Sequence, residues 1–317
     1  PSRGLGDVYK RQVSAKILLD PLKELPEQPL TFDINDENLE IFIHFQNGKY
    51  NFIGQKGDTY PQQKPLNDNA ISISMDAQML LNGISRSLFA TADDELRPVM
   101  NGVYFDIHTD DLTFVASDGH KLVRLRNLAV KSPERASFIL PKKPANLLKN
   151  LLAKESEQVL IKFDDNNAYI TCTNFEMVCR LIEGRYPNYN SVIPQENPFK
   201  VTIDRISFLN ALKRVSVFSN PASSLVKLHL KDSLITVSAQ DIDFSTSAEE
   251  RIVCQFDGTE LSIGFKATYL IEILGNISSE EVVLELADPS RAGLIVPSEN
   301  DEDEDLLMLL MPMMLND

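Results

Sequence analysis

The chain repeats itself, and a repeat constrains the fold more than any single motif. Three segments share one order of features: a short helix-like stretch, two or three strand-like runs, then a proline. The first starts VSAKILLDPLKELP and closes on GDTYP, the second starts LPKKPANLLKNLLAK and closes on EGRYP, and the third starts GFKATYLIEILGN and closes on LLMPM. Their closing residues Pro61, Pro187 and Pro312 stand 126 and 125 residues apart.

Two copies of a second half-unit lie between them, beginning at SMDAQMLLNGISRSLF and TIDRISFLNALKRVSVF. In each, apolar residues recur at three- and four-residue intervals (Met75, Met79, Leu80, Ile84, Leu88; Ile206, Leu209, Leu212, Val215), the period of an amphipathic helix. Alternating strands follow, at Val103–Ile107 and Val226–Leu230, with Asp-rich turns between them. A full unit is therefore helix–strands–helix–strands, and the fold class is α+β. Three full units need about 378 residues and the chain has 317, so the first is read as its second half only. The opening PSRGLGDVYKRQ fits neither half-unit. It is read as a non-native leader on a chain truncated by about 60 residues, with a disordered tail as the alternative. The expected partition is 1–12 leader, 13–66 partial first domain, 67–194 second domain with its linker, and 195–317 third domain.

With 43% hydrophobic and 24% charged residues and a mean hydropathy of −0.16, the sequence has the make-up of a soluble cytoplasmic protein. LLMLLMPMM (Leu306–Met314) is too short to span a bilayer. Cys172, Cys179 and Cys254 show no metal-ligand spacing and are read as reduced and buried. The net charge of −15 argues against nucleic acid until its distribution is considered. The helix-like segments Lys16–Leu25, Met75–Phe89, Lys142–Lys154, Asp204–Phe218 and Lys266–Ile277 carry formal charges of 0, 0, +4, +2 and 0, which leaves −21 for the rest. Helices gathered on one side and acidic strands on the other would give a smooth, salt-sensitive attraction for duplex DNA. Solvated lysines on unrelated helices are the plainer alternative. No base-reading motif is present.

FVASDGHKLVRL (Phe114–Leu125) sets Asp118 two residues from His120, one of four histidines. Apolar residues on both sides of Asp118-Gly119 make this a two-residue hairpin turn between strands. No nucleophile elbow, second carboxylate pair or ligand set completes a catalytic constellation.

SDGHKL between strands, the GRYP–IP segment (Gly184–Pro194) and the terminal LLMPMML, together with the repeat, resemble the bacterial sliding clamp family, the β subunit of DNA polymerase III. The resemblance covers Val13–Leu315. It implies repeated clamp domains in a head-to-tail homodimeric ring, with helices lining the inner face and antiparallel sheets outside. Such a ring encircles duplex DNA without sequence preference and raises polymerase processivity without catalysis, cofactor or metal. It further implies a pocket for short, extended peptides of the replicative polymerase, the clamp loader and repair or translesion polymerases. The residues matching that pocket are Met100, Ser117, Gly119, His120, Lys121 and Leu122, with Pro187, Ser191 and Val192 from the linker. Ser290, Ala292, Leu309, Leu310, Met311, Pro312 and Met313 complete it. Ser191 stands where relatives commonly have Arg, and Pro98 and Val99 replace aromatics that touch DNA in some relatives.

Lys16 matches a basic channel residue, and Arg97, Lys213 and Arg214 fall on or beside inner helices. With Lys142, Lys143 and Lys149 of the most basic helix, these are the candidate DNA-facing residues. The resemblance places Tyr50 and Phe52 on one side of the subunit interface and Val217 and Phe218 on the other. With half a first domain, impaired ring closure or aggregation is expected. The competing readings are a hydrolase using Asp118 and His120, and a β-rich scaffold unrelated to DNA.

Overall fold

The computed structural model describes residues 11–59 and 65–315. They form two compact units that divide between Pro65 and Leu66. Residues 1–10 of the expected leader, and Pro61, lie outside the described residues.

The first unit holds helix α1 (Ala15–Lys23) and an antiparallel sheet of Thr31–Ile34, Glu40–Phe45 and Gly48–Ile53. Strand alternation puts Phe32, Ile43 and Tyr50 side by side on one face, with Ile34, Ile41 and Phe52 beside them. Ile41 and Ile43 of the central strand are buried there, and Tyr50 and Phe52 are half-buried. Helix α1 buries none of its residues, and Lys16 is exposed on it.

Among its described residues the second unit contains four α-helices: α2 (Ala77–Ser87), α3 (Lys142–Leu152), α4 (Arg205–Val215) and α5 (Ala267–Gly275). Each follows directly on a strand: Ile71–Asp76, Ala136–Pro141, Phe199–Asp204 and Leu261–Lys266. The residues expected to open α2, Met75 and Asp76, belong to the strand. Asp76 Oδ1 then accepts from the Gln78 and Met79 amides, and Asp204 Oδ1 from the Ser207 amide, closing the first turns of α2 and α4. The buried stripe of α4 is Phe208, Leu209, Ala211, Leu212 and Val215; Ile206, expected on that stripe, is exposed.

The strand before each helix pairs outside its own half-unit. Ile71–Asp76 joins Gln158–Phe163, and Ala136–Pro141 joins Gly102–Ile107. In the next repeat Phe199–Asp204 joins Glu281–Leu286, and Leu261–Lys266 joins Leu225–Lys231. Each half thus completes the other's sheet, so neither buries its apolar face alone. Two four-stranded sheets result, and a nine-stranded sheet forms where Lys121–Asn127 pairs with Glu304–Leu310 across the two repeats.

This shared sheet separates the unit's two cores. On one face Phe105, Phe114, Leu125, Leu140, Val201, Leu284, Met308 and Leu310 meet the helices, with α2 packed on α3 and α4 on α5. On the other face Val115, Leu122, Ile139, Leu294, Leu307 and Leu309 are covered by Tyr186, Tyr189 and Ile193 of the connecting segment. Asn197 fastens the end of that segment, its Nδ2 donating to the carbonyls of Glu285 and Ala292. Of the three free cysteines only Cys254 is fully buried; Cys172 and Cys179 are half-buried, and burial still pushes both thiols up to about 11.

Candidate functional site

The SDGHKL stretch is a turn, shifted by one residue from the expected Asp118-Gly119. Ser117 pairs with Leu122, the Asp118 amide donates to the Lys121 carbonyl at 3.3 Å, and Gly119 and His120 form the tip. Gly119 takes φ +91°, as the first central residue of such a turn requires. Asp118 Oδ1 accepts from the His120 amide (2.8 Å) and the Lys121 amide (2.9 Å), so its carboxylate is engaged by backbone. The His120 ring instead lies against Tyr269 of α5, centroids 6.2 Å apart. The acid and the imidazole do not face each other as a general acid–base pair must.

Lys121 is the most constrained residue of the turn. Its side chain is buried, with Nζ 2.8 Å from Glu272 Oε2, 3.3 Å from Asp118 Oδ2 and 4.1 Å from the Tyr269 ring centroid. The turn is therefore pinned to α5 through its cation. Arg97 lies over the same turn: its Nε donates to Asp94 Oδ2 at 2.7 Å and its Nη2 to the Asp118 carbonyl at 3.4 Å. That hydrogen bond holds the Asp94 carboxyl below its usual value.

Beside the turn, on the sheet face away from the helices, is a cavity of about 260 Å³. Ten of the anticipated pocket residues line it: Met100, Ser117, Gly119, His120, Lys121, Leu122, Pro187, Val192, Leu309 and Met311. The other six stand elsewhere. Leu310 points to the opposite core and is fully buried. Ala292 is buried in the same apolar cluster as the wall without lining the cavity. Ser191 and Ser290 are exposed, bonded to the Asn188 carbonyl and to Asp288. Beyond Met311, Pro312 is half-buried, and Met313 donates its amide to the Gly264 carbonyl, which carries the chain away.

Tyr186, Asn188 and Tyr189 also line the cavity and were missed. The available signal was a pair of tyrosines flanking Pro187 in a polar connecting segment, since large aromatics there need a surface to cover. Tyr186 stacks parallel on Tyr104 at 4.6 Å, and the Tyr189 hydroxyl donates to Asp106 Oδ2 at 2.8 Å. Burial pushes both phenols up.

The basic candidates divide in two. Lys143 and Lys213 are exposed on α3 and α4, and Lys149 is half-exposed on α3. Lys142 is paired with Asp93 at 2.5 Å, and Arg214 makes a two-pronged contact with Glu250 at 2.8 and 2.6 Å. Arg97 sits at the cavity rather than on a helix. Of the interface candidates in this unit, Val217 is 77% and Phe218 41% exposed, just beyond the end of α4.

Comparison with known proteins bears on both features. Residues 74–188 match the family profile described as the DNA polymerase III beta subunit, central domain, and residues 190–314 match its C-terminal domain. The beta sliding clamp of Pseudomonas aeruginosa is 27% identical over 304 residues, 96% of this chain and 81% of the relative. That of Staphylococcus aureus is 27% identical over 296 residues, 92% of this chain and 78% of the relative. Among solved structures, the P. aeruginosa sliding clamp bound to griselimycin superposes with a TM-score of 0.86 at 26% identity, covering 95% of this chain and 80% of that one. The Bartonella birtlesii clamp, also bound to griselimycin, gives 0.85 at 27% identity, covering 95% and 81%.

Proposed function

The chain belongs to the DNA polymerase III β subunit family, and on that premise we propose that it acts as a ring-forming processivity factor. In this reading it is a homodimer that encircles duplex DNA and tethers the replicative polymerase, the clamp loader and repair or translesion polymerases by their short peptide motifs. The observation that carries the reading is the two-sidedness of the shared sheet. Helices α2–α5 pack on one face, and the cavity opens on the other. A partner held at the cavity would therefore not compete for the helical face.

The helical face suits DNA through Lys143, Lys149 and Lys213, exposed or half-exposed on α3 and α4. A few lysines attract phosphates without fixing a register, as sliding requires. The cavity suits an extended peptide: Leu122, Val192, Leu309, Met100 and Met311 give an apolar, adaptable wall. The exposed Val217 and Phe218 suit the subunit contact, with Tyr50 and Phe52 as the complementary surface. The partition at 13–66, 67–194 and 195–317, and a cytoplasmic site of action, belong to the same reading. Among the described residues no helix is long and apolar enough to cross a membrane.

The test is topological. The full-length protein is loaded on a nicked circular duplex by a clamp loader, and its retention is measured before and after the circle is cut. Retention on circles and loss on linearisation is the expected result. Equal retention on both would leave ordinary electrostatic binding and remove the encirclement reading.

A further inference from the structure

We infer that the Tyr186 hydroxyl donates to a backbone carbonyl of an extended peptide bound in the cavity, which makes Tyr186 a peptide-binding residue; the inference rests on the peptide reading above. Three buried side-chain polar atoms lack a partner among the described residues: Arg124 Nε, Asn197 Oδ1 and the Tyr186 hydroxyl. Arg124 and Asn197 are bonded through their other atoms, Arg124 to Asp305 and Asn197 to two carbonyls. Tyr186 has a single polar atom: the Ser117 backbone reaches its oxygen from the donor side, and nothing within hydrogen-bond geometry accepts its proton.

The residue has no easy way out. It is 7% exposed, and its ring lies flat on Tyr104 with 3° between the planes. Tyr189, three residues on and in the same wall, has its hydroxyl satisfied by Asp106. A buried hydroxyl whose proton has no acceptor is costly, and native proteins hold few of them.

The chemistry around the cavity points to what completes it. The cation that lines the cavity, Lys121, is committed to Glu272 and Asp118, and Arg97 over the turn to Asp94. Much of the wall is aliphatic or thioether. What Tyr186 adds is a neutral donor, and the matching group is a neutral acceptor. An extended peptide presents one carbonyl per residue. The hydroxyl is closed off from solvent, so an occupant reaches it by displacing part of the wall, which includes the unbranched and readily turned Met100 and Met311.

The experiment is Tyr186→Phe, read in two ways on the full chain. Binding of fluorescein-labelled Ser-Leu-Ser-Leu-Phe-amide, followed by anisotropy, should weaken about three- to tenfold, the worth of one neutral hydrogen bond. Thermal unfolding of the unliganded variant should rise or stay level, because an orphan group has gone. A purely structural tyrosine would move stability and affinity down together. Unchanged affinity in the variant, or a lower melting temperature without peptide, overturns the inference while the pocket reading stands. Failure of the unmodified protein to bind the peptide overturns both.

Discussion

Leu309 and Leu310 are consecutive residues of one strand, yet they pack into different cores. Leu310 faces the helices, while Leu309 faces the connecting segment and lines the cavity. Strand alternation alone produces the split. Leu310→Ala should cost about 2–5 kcal/mol, because its close-packed surroundings cannot collapse onto the void. Leu309→Ala borders space already empty, so its cost should fall near the low end, about 2 kcal/mol, while peptide binding weakens. Urea unfolding paired with peptide titration separates the two. Equal effects of both variants in both assays would contradict the two-core description.

The turn at the cavity offers a second check. A Cβ on Gly119 would meet Arg97 Nη1 at 2.8 Å, and the backbone there sits at φ +91°. Gly119→Ala should therefore destabilise by about 1–2 kcal/mol through strain. Asp118→Ala removes the acceptor of two amides and should cost about 1 kcal/mol. Both should loosen the peptide site, since His120 and Lys121 line it. Peptide affinity unaffected in both, with melting temperatures lowered, would show that the turn does not shape the pocket.

Much of this architecture was legible before any coordinates. The helices carry a 3.6-residue apolar stripe, and for α2 and α4 an Asp at the start, so their positions follow from local chemistry. The pocket strand was legible as two-faced from its alternation. What stayed hidden is non-local. The exchange of leading strands between half-units leaves no mark in either half. The acid run Glu299–Asp305 carries no local sign of its partners, yet Asp301 and Glu304 engage Arg86, and Asp305 engages Arg124 and Arg126. Partners more than 170 residues apart cannot be matched by spacing.

Charge on the helical face should act unevenly. Lys143→Glu with Lys149→Glu should lower affinity for duplex DNA and flatten its dependence on salt, because phosphate contacts are lost. Arg214→Ala should leave DNA affinity nearly unchanged, since that guanidinium is held by Glu250. Filter binding over a salt series distinguishes them. A larger loss from Arg214→Ala than from the double lysine variant would reverse the assignment.

The contact between Arg86 and Glu304 makes a prediction with a sign. Arg86 of α2 reaches across to the second repeat, donating to Glu304 Oε2 at 3.0 Å and pairing with Asp301. Asn82 of α2 adds a bond to Glu304 Oε1 at 2.5 Å. Burial raises the Glu304 pKa, and Arg86 and Asn82 only partly offset that. A carboxyl raised in the folded state binds its proton more tightly there than when unfolded. Its contribution to stability is thus fully present below the unfolded value of 4.5 and is lost as pH rises through the folded value. Arg86→Met strands the carboxylate and should cost about 3 kcal/mol at neutral pH. The same variant should recover part of that loss as pH falls toward 4.5, because protonation removes the unpaired charge. Thermal unfolding of both proteins between pH 4.5 and pH 8 measures the gap. A gap that stays constant, or widens in acid, would mean that Glu304 is not the group Arg86 serves.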